Sequence, residues 1–136
     1  MPSERLELIR QGYEAWNRGD RQWVLDHMSE RVEWVTPRED LDRGVFRGHA
    51  GVQEFWEQWR ASVGQLDFTV ERMVESGDDV AVVTRRHGKG EHSGLEISDN
   101  VVQVFSFEGD TCVRVQEYYD TDTALREIGF EELAGQ

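Results

Sequence analysis

Val113-Arg114-Val115-Gln116-Glu117-Tyr118-Tyr119-Asp120 alternates as a strand does, which places Val113, Val115, Glu117 and Tyr119 on one face. The two valines mark that face as the buried one, so it carries a carboxylate and a phenol inward. A carboxylate taken out of water is costly unless partnered, and Glu117 is therefore the first candidate for proton-transfer chemistry. Asp120, just beyond, is suited to cap a final helix with help from Thr121 and Thr123.

Other chemistries find less support. His27, His49 and His92 lack metal-ligand spacing with one another or with Cys112, so no metal site is expected. No Gly-rich phosphate loop follows a strand and no nucleophile-elbow pattern occurs, and no cofactor is expected. The formal charge of −13 opposes contact with a nucleic-acid backbone or an anionic membrane surface. A single cysteine excludes an intrachain disulfide, and no signal-like or 18-residue apolar run is present, which suits a cytoplasmic protein.

The elements that must position Glu117 follow from periodicity. With 136 residues and no Pro/Gly/Ser-rich spacer, the chain reads as one domain over residues 1–136. Five Trp, six Phe and three Tyr predict an aromatic core despite an apolar fraction of 38%. Leu6, Ile9, Tyr13 and Trp16 recur at helical spacing behind Ser3 as N-cap, and Asn17-Arg18-Gly19 ends that helix. Asp20 can cap a shorter helix bearing Val24 and Met28. Val32-Glu33-Trp34-Val35 reads as a strand stopped by Pro37, and Arg38 to Arg47 as a loop. Val52, Phe55, Trp56, Trp59 and Val63 predict an amphipathic helix from His49 to Val63.

After Gly64 the pattern changes to alternation, in Leu66–Glu75, Val80–Arg86, Ile97–Phe107 and Cys112–Tyr119. Breaks fall at Gly77-Asp78-Asp79, in the run Gly88 to Gly94, and at Gly109-Asp110. Four strands joined this way form an antiparallel meander, and long glycine-interrupted strands bend through bulges. The fold class is therefore α+β: a curved antiparallel sheet wrapped around three N-terminal helices, a cone with a central pocket.

Tyr13-Glu14-Ala15-Trp16-Asn17-Arg18-Gly19-Asp20, Phe46-Arg47-Gly48-His49-Ala50-Gly51-Val52, Val104-Phe105-Ser106-Phe107-Glu108-Gly109-Asp110 and Glu117-Tyr118-Tyr119-Asp120 together resemble landmarks of the nuclear transport factor 2-like superfamily, in its SnoaL-like branch. The resemblance spans about residues 5 to 130. It implies a deep pocket between helices and sheet, in a superfamily whose members include isomerases, polyketide cyclases, epoxide hydrolases and non-catalytic binding modules.

Strand parity then predicts the lining: Val83, Arg85 and His87; Val101, Gln103, Phe105 and Phe107; Val115, Glu117 and Tyr119. Tyr13, Trp16 and Trp34 are expected to face the same space. Such walls suit a small apolar or aromatic molecule. Against ketosteroid isomerases, Thr36 stands before Pro37 where the family has a carboxylate base, and the position of the family's first-helix tyrosine falls on Gly12 beside Tyr13. Against limonene-type epoxide hydrolases, Arg85-Arg86-His87 and Glu117 retain an arginine and one carboxylate, with His87 in place of the other. The resemblance to SnoaL-like cyclases implies proton removal and return beside a carbonyl. The expected site is thus His87 and Glu117 as cofactor-independent acid and base, with Arg85, Gln103, Tyr119, Tyr13, Trp16, Trp34, Phe105 and Val115 contacting substrate. The alternatives are a structural Glu117–Arg85 ion pair and a non-catalytic binding module. Val102, Val104 and Val113 or its neighbours suggest an outer surface that is partly apolar, through which a two-fold homodimer is expected.

Overall fold

In a computed structural model, residues 3–37, 44–89 and 96–129 are described. Helix α1 (Glu4–Asn17) opens at Ser3, whose hydroxyl accepts from the Arg5 amide at 3.1 Å, and it buries Ile9, Tyr13 and Ala15. Helix α2 (Arg21–Asp26) opens at Asp20, whose carboxylate accepts from the Trp23 amide. Strand β1 (Met28–Val35) follows, then β2 (Val45–Arg47) and helix α3 (Gly48–Val63), which buries Val52, Phe55, Trp56 and Val63. Strands β3 (Leu66–Ser76), β4 (Asp79–Lys89), β5 (Glu96–Glu108) and β6 (Thr111–Tyr118) complete the sheet, and helix α4 (Thr121–Glu127) closes the described chain. Gly77 and Gly109 turn two of the hairpins at φ of 59° and 61°, a region open to glycine without steric cost.

The sheet is six-stranded in the order β2-β1-β6-β5-β4-β3. The last four strands form the expected antiparallel meander, but β1 lies parallel to β6, so the curved, unclosed sheet is mixed. That parallel pairing brings Trp34 opposite Val115, beside the strand position of Glu117. Register shifts between Val70 and Arg72 and between Ser106 and Phe107 mark bulges that help the sheet curl over α1 and α3. Val45–Arg47 departs from the expected loop: three residues are too few to show a period, and their strand character comes from backbone pairing with β1. Residues 38–43 of that loop lie outside the described residues, as do 90–94 of the Gly88–Gly94 run.

Two apolar clusters occupy the two sheet faces. The inner one joins Ile9, Tyr13, Phe55 and Trp56 to Val32, Val80, Val82 and Val115. The outer one joins Val74, Ala81, Val102 and Val104 to Ala124 and Leu125 of α4. The outward valines expected to meet a second copy are thus corrected: Val102 is fully buried and Val104 is 5% exposed beneath the chain's own last helix. Val113 leaves the inward face it was expected to share with Val115 and Glu117, because the bulge puts Cys112 opposite Phe107 and turns Cys112 into the inner core instead. No helix among the described residues is long and apolar enough to cross a membrane.

Leu125 is 1% exposed and is the largest fully buried side chain on α4. Leu125→Ala is expected to lower unfolding free energy by about 2–5 kcal/mol in urea denaturation, through lost burial and the cavity left behind. A loss under about 1 kcal/mol would show that α4 does not contribute to the outer core.

Candidate active site

Between the three N-terminal helices and the inner face of the sheet lies a cavity of about 110 Å³. Its walls are mainly aromatic. Tyr13 and Trp16 come from α1, Phe55, Trp56 and Trp59 from α3, Trp34 from β1, Phe68 from β3 and Phe105 from β5. Tyr13 meets Phe68 and Phe105 edge-on at 5.9 and 6.1 Å, and Trp56 meets Trp16 and Trp34 edge-on at 4.9 and 6.0 Å.

Set into this wall is one connected polar cluster. Glu117, 4% exposed on β6, accepts from the Trp34 indole N–H at one oxygen and from the Gln103 amide N–H at the other, each at 3.0 Å. Gln103 stands directly opposite Glu117 in the β5–β6 register, and its carbonyl accepts a hydrogen bond from the Tyr13 hydroxyl. Burial, then the charge of Glu117 and that of a Cys112 thiolate, push the Tyr13 phenol well above its ordinary pKa. Tyr13 therefore stays a proton donor across the physiological range. The Cys112 thiol, sealed among apolar neighbours, is pushed up to about 12 by burial.

Arg86 borders the same cavity. Its guanidinium binds Asp99 through two hydrogen bonds, at 2.9 and 2.8 Å, and lies over the Trp59 ring at 4.7 Å. Burial works against its charge, yet Asp99, a hydrogen bond to Tyr119 and the charge of Glu117 together raise its pKa above the ordinary arginine value. Arg86 is a permanent cation near the carboxylate.

On β5 and β6 only part of the expected set faces the cavity, and on β4 the inward residues are displaced by one position. Tyr13, Trp16, Trp34, Gln103, Phe105 and Glu117 all line the cavity. Val115 is wholly buried in the core, and Tyr119 sits against Arg86 at 5.8 Å, though neither borders the cavity. Arg85 and His87 are exposed on the outer face, opposite Asn100 and Ser98. Val82, Thr84 and Arg86 hold the inner face instead. The structure consequently separates His87 from Glu117 and puts Arg86 where Arg85 was expected. Thr36 plays a turn-closing part: its hydroxyl accepts from the Gly44 amide at 2.7 Å.

Four further polar residues line the cavity that sequence reasoning did not place there: Arg21, His27, Arg60 and Asp110. His27 stacks on Trp23 at 3.9 Å, and its Nδ1 lies 2.8 Å from the Trp23 carbonyl, an acceptor, so Nδ1 carries the proton. The four-residue spacing of Trp23 and His27 on a helix end was the available signal. Among the described residues no three His, Cys, Asp or Glu side chains converge as a metal cage would require.

A model of the SnoaL-like domain family matches residues 9–115. No curated protein matches the sequence. Among solved structures, an NTF2-like protein of unknown function from Burkholderia pseudomallei K96243 superposes with a TM-score of 0.78 at 24% identity, covering 94% of this chain and 99% of that one. TerC, co-crystallised with polyporic acid, gives 0.76 at 26% identity, covering 93% and 98%. A putative SnoaL-like polyketide cyclase from Jannaschia sp. CCS1 gives 0.74 at 15% identity, covering 94% and 96%.

The buried thiol makes a pH prediction. In the unfolded chain Cys112 titrates near its ordinary value of 9.0, and burial pushes it up to about 12 in the folded chain, so between these values the folded state holds a proton that the unfolded state has released. Stability from this source is complete below pH 9 and is lost as pH rises through the window, at up to about 1.4 kcal/mol per pH unit. Urea titrations from pH 8 to 11 should show a shallower alkaline decline for Cys112→Ala than for wild type; identical slopes would contradict the assigned burial effect.

Proposed function

The chain belongs to the SnoaL-like domain family, and from that premise we propose that its cavity binds a small, largely apolar aromatic ketone-type molecule and that Glu117 moves a proton beside the carbonyl. The carrying observation is the buried carboxylate itself, held in the cavity wall by Trp34 and Gln103. In this reading Glu117 takes a proton from the carbon next to a substrate carbonyl and returns it at another position, as an isomerase or cyclase requires. Tyr13, kept protonated, turns its O–H from Gln103 to the substrate oxygen and stabilises the enolate that forms. Arg86 adds fixed positive charge behind the anion, and its Asp99 partner holds it in place.

The aromatic walls would supply binding through area and ring–ring contact. No cofactor is needed for such a step. The cyclase-type neighbour and the neighbour crystallised with polyporic acid support a small organic ligand for this fold. The second reading is a non-catalytic binding module. The occupation of both Glu117 oxygens by N–H donors favours it, since the same bonds would hold a purely structural carboxylate.

Hydrogen–deuterium exchange at the α-carbon of 2-tetralone in D₂O, followed by NMR, separates the two readings. Wild type is expected to accelerate exchange, and Glu117→Gln to lose about 10²–10⁴-fold of that acceleration while retaining 2-tetralone binding. Binding without acceleration by wild type, or full acceleration by Glu117→Gln, would leave the binding-module reading in its place.

A further inference from the structure

Among the described residues, Arg21 is the arginine in the cavity wall that no carboxylate pairs. It stands at the start of α2, half-buried, with its guanidinium 4.4 Å over the Trp16 ring. Every other cavity arginine has one: Arg86 grips Asp99, and Arg60 has Glu57 at 3.6 Å. Arg21 makes no hydrogen bond or ion pair among the described residues, although Glu57 and Asp67 are near enough to act on its charge. Burial and the like charge of Arg60 both disfavour its cationic form. A partly desolvated guanidinium beside a second one is an unfavourable arrangement that a bound anion relieves.

Trp56 adds an independent sign. Its indole nitrogen is the one buried side-chain polar atom among the described residues with no hydrogen-bond partner. It belongs to the same wall, edge-on to the Trp16 ring that carries Arg21. An unmet donor and an unmet cation on two touching rings call for the same complement, an oxygen acceptor bearing negative charge. Exposed Arg60 and half-buried Arg21 bring two guanidinium groups into the lining of one cavity, with Asp110 in the same lining and Glu57 and Asp67 near enough to act on Arg21.

We infer that the ligand is an aromatic anion whose carboxylate or ionised hydroxyl group docks on Arg21, with Arg60 assisting, while its rings fill the cavity towards Glu117. This rests on the proposed aromatic-ligand reading of the same cavity and adds the charge of the ligand and the end at which it is held. The anionic group and the proton-transfer group then occupy different walls, so the ligand is oriented by its charge before chemistry begins.

Isothermal titration calorimetry with 2-naphthoate and its neutral counterpart 2-naphthamide tests this at pH 7.5. Wild type is expected to bind naphthoate about tenfold or more tightly than the amide. Arg21→Met, which keeps the stem on Trp16, is expected to lose that preference while binding naphthamide as wild type does, and Arg21→Lys to keep part of it. Equal binding of the two probes by wild type, or an unchanged preference in Arg21→Met, overturns the inference; naphthamide binding in those cases leaves the aromatic-cavity reading standing. Binding of neither probe overturns both.

Discussion

A carboxylate buried to 4% exposure in an aromatic interior is the constraint around which this structure is organised. Taking such a group out of water costs several kcal/mol unless hydrogen bonds and opposite charge replace the lost solvent. The Trp34 and Gln103 N–H groups and the Arg86 cation supply that replacement for Glu117. Each arrives from a different strand, and each depends on a feature of the fold. Trp34 reaches Glu117 because β1 runs parallel beside β6. Gln103 does so because it faces Glu117 across the β5–β6 ladder. Arg86 is held by Asp99, its partner across β4–β5.

Much of this was legible in the sequence. The α3 stripe, the capped first helix and the last four strands all carry strong periodic signals, and the inward parity of Gln103, Phe105 and Glu117 follows from theirs. The β4 parity did not follow, for a specific reason. Ala81 and Val83 are apolar because α4 covers the outer sheet face, and Val80 and Val82 because they meet the inner core. With both faces apolar the alternation that distinguishes them disappears, and the Arg85-Arg86 pair offers no tie-break. A one-residue error exchanges every side chain between faces, which is how His87 and Arg85 were expected in a cavity they do not touch.

The same covering helix explains Val102 and Val104, whose outward apolarity is spent within the chain. The polar residues at the rim were illegible for another reason. Arg21 and His27 lie in or just after a six-residue helix, too short to show which face turns inward, and their placement depends on how that helix packs on α1 and β1. Tertiary packing gave these residues a common space that no local pattern encodes.

Two features share one cavity: a buried cluster of carboxylate, amide and phenol, to which we assign the proposed proton transfer, and an aromatic lining, to which we assign the proposed binding of a flat molecule. A high-resolution crystal structure of the protein with bound 2-tetralone tests their combination most directly. The ketone oxygen is expected within hydrogen-bond distance of the Tyr13 hydroxyl, with the α-carbon against a Glu117 oxygen. A ketone bound outside the cavity, or one inside it with Tyr13 still on Gln103 and no contact to Glu117, would contradict this.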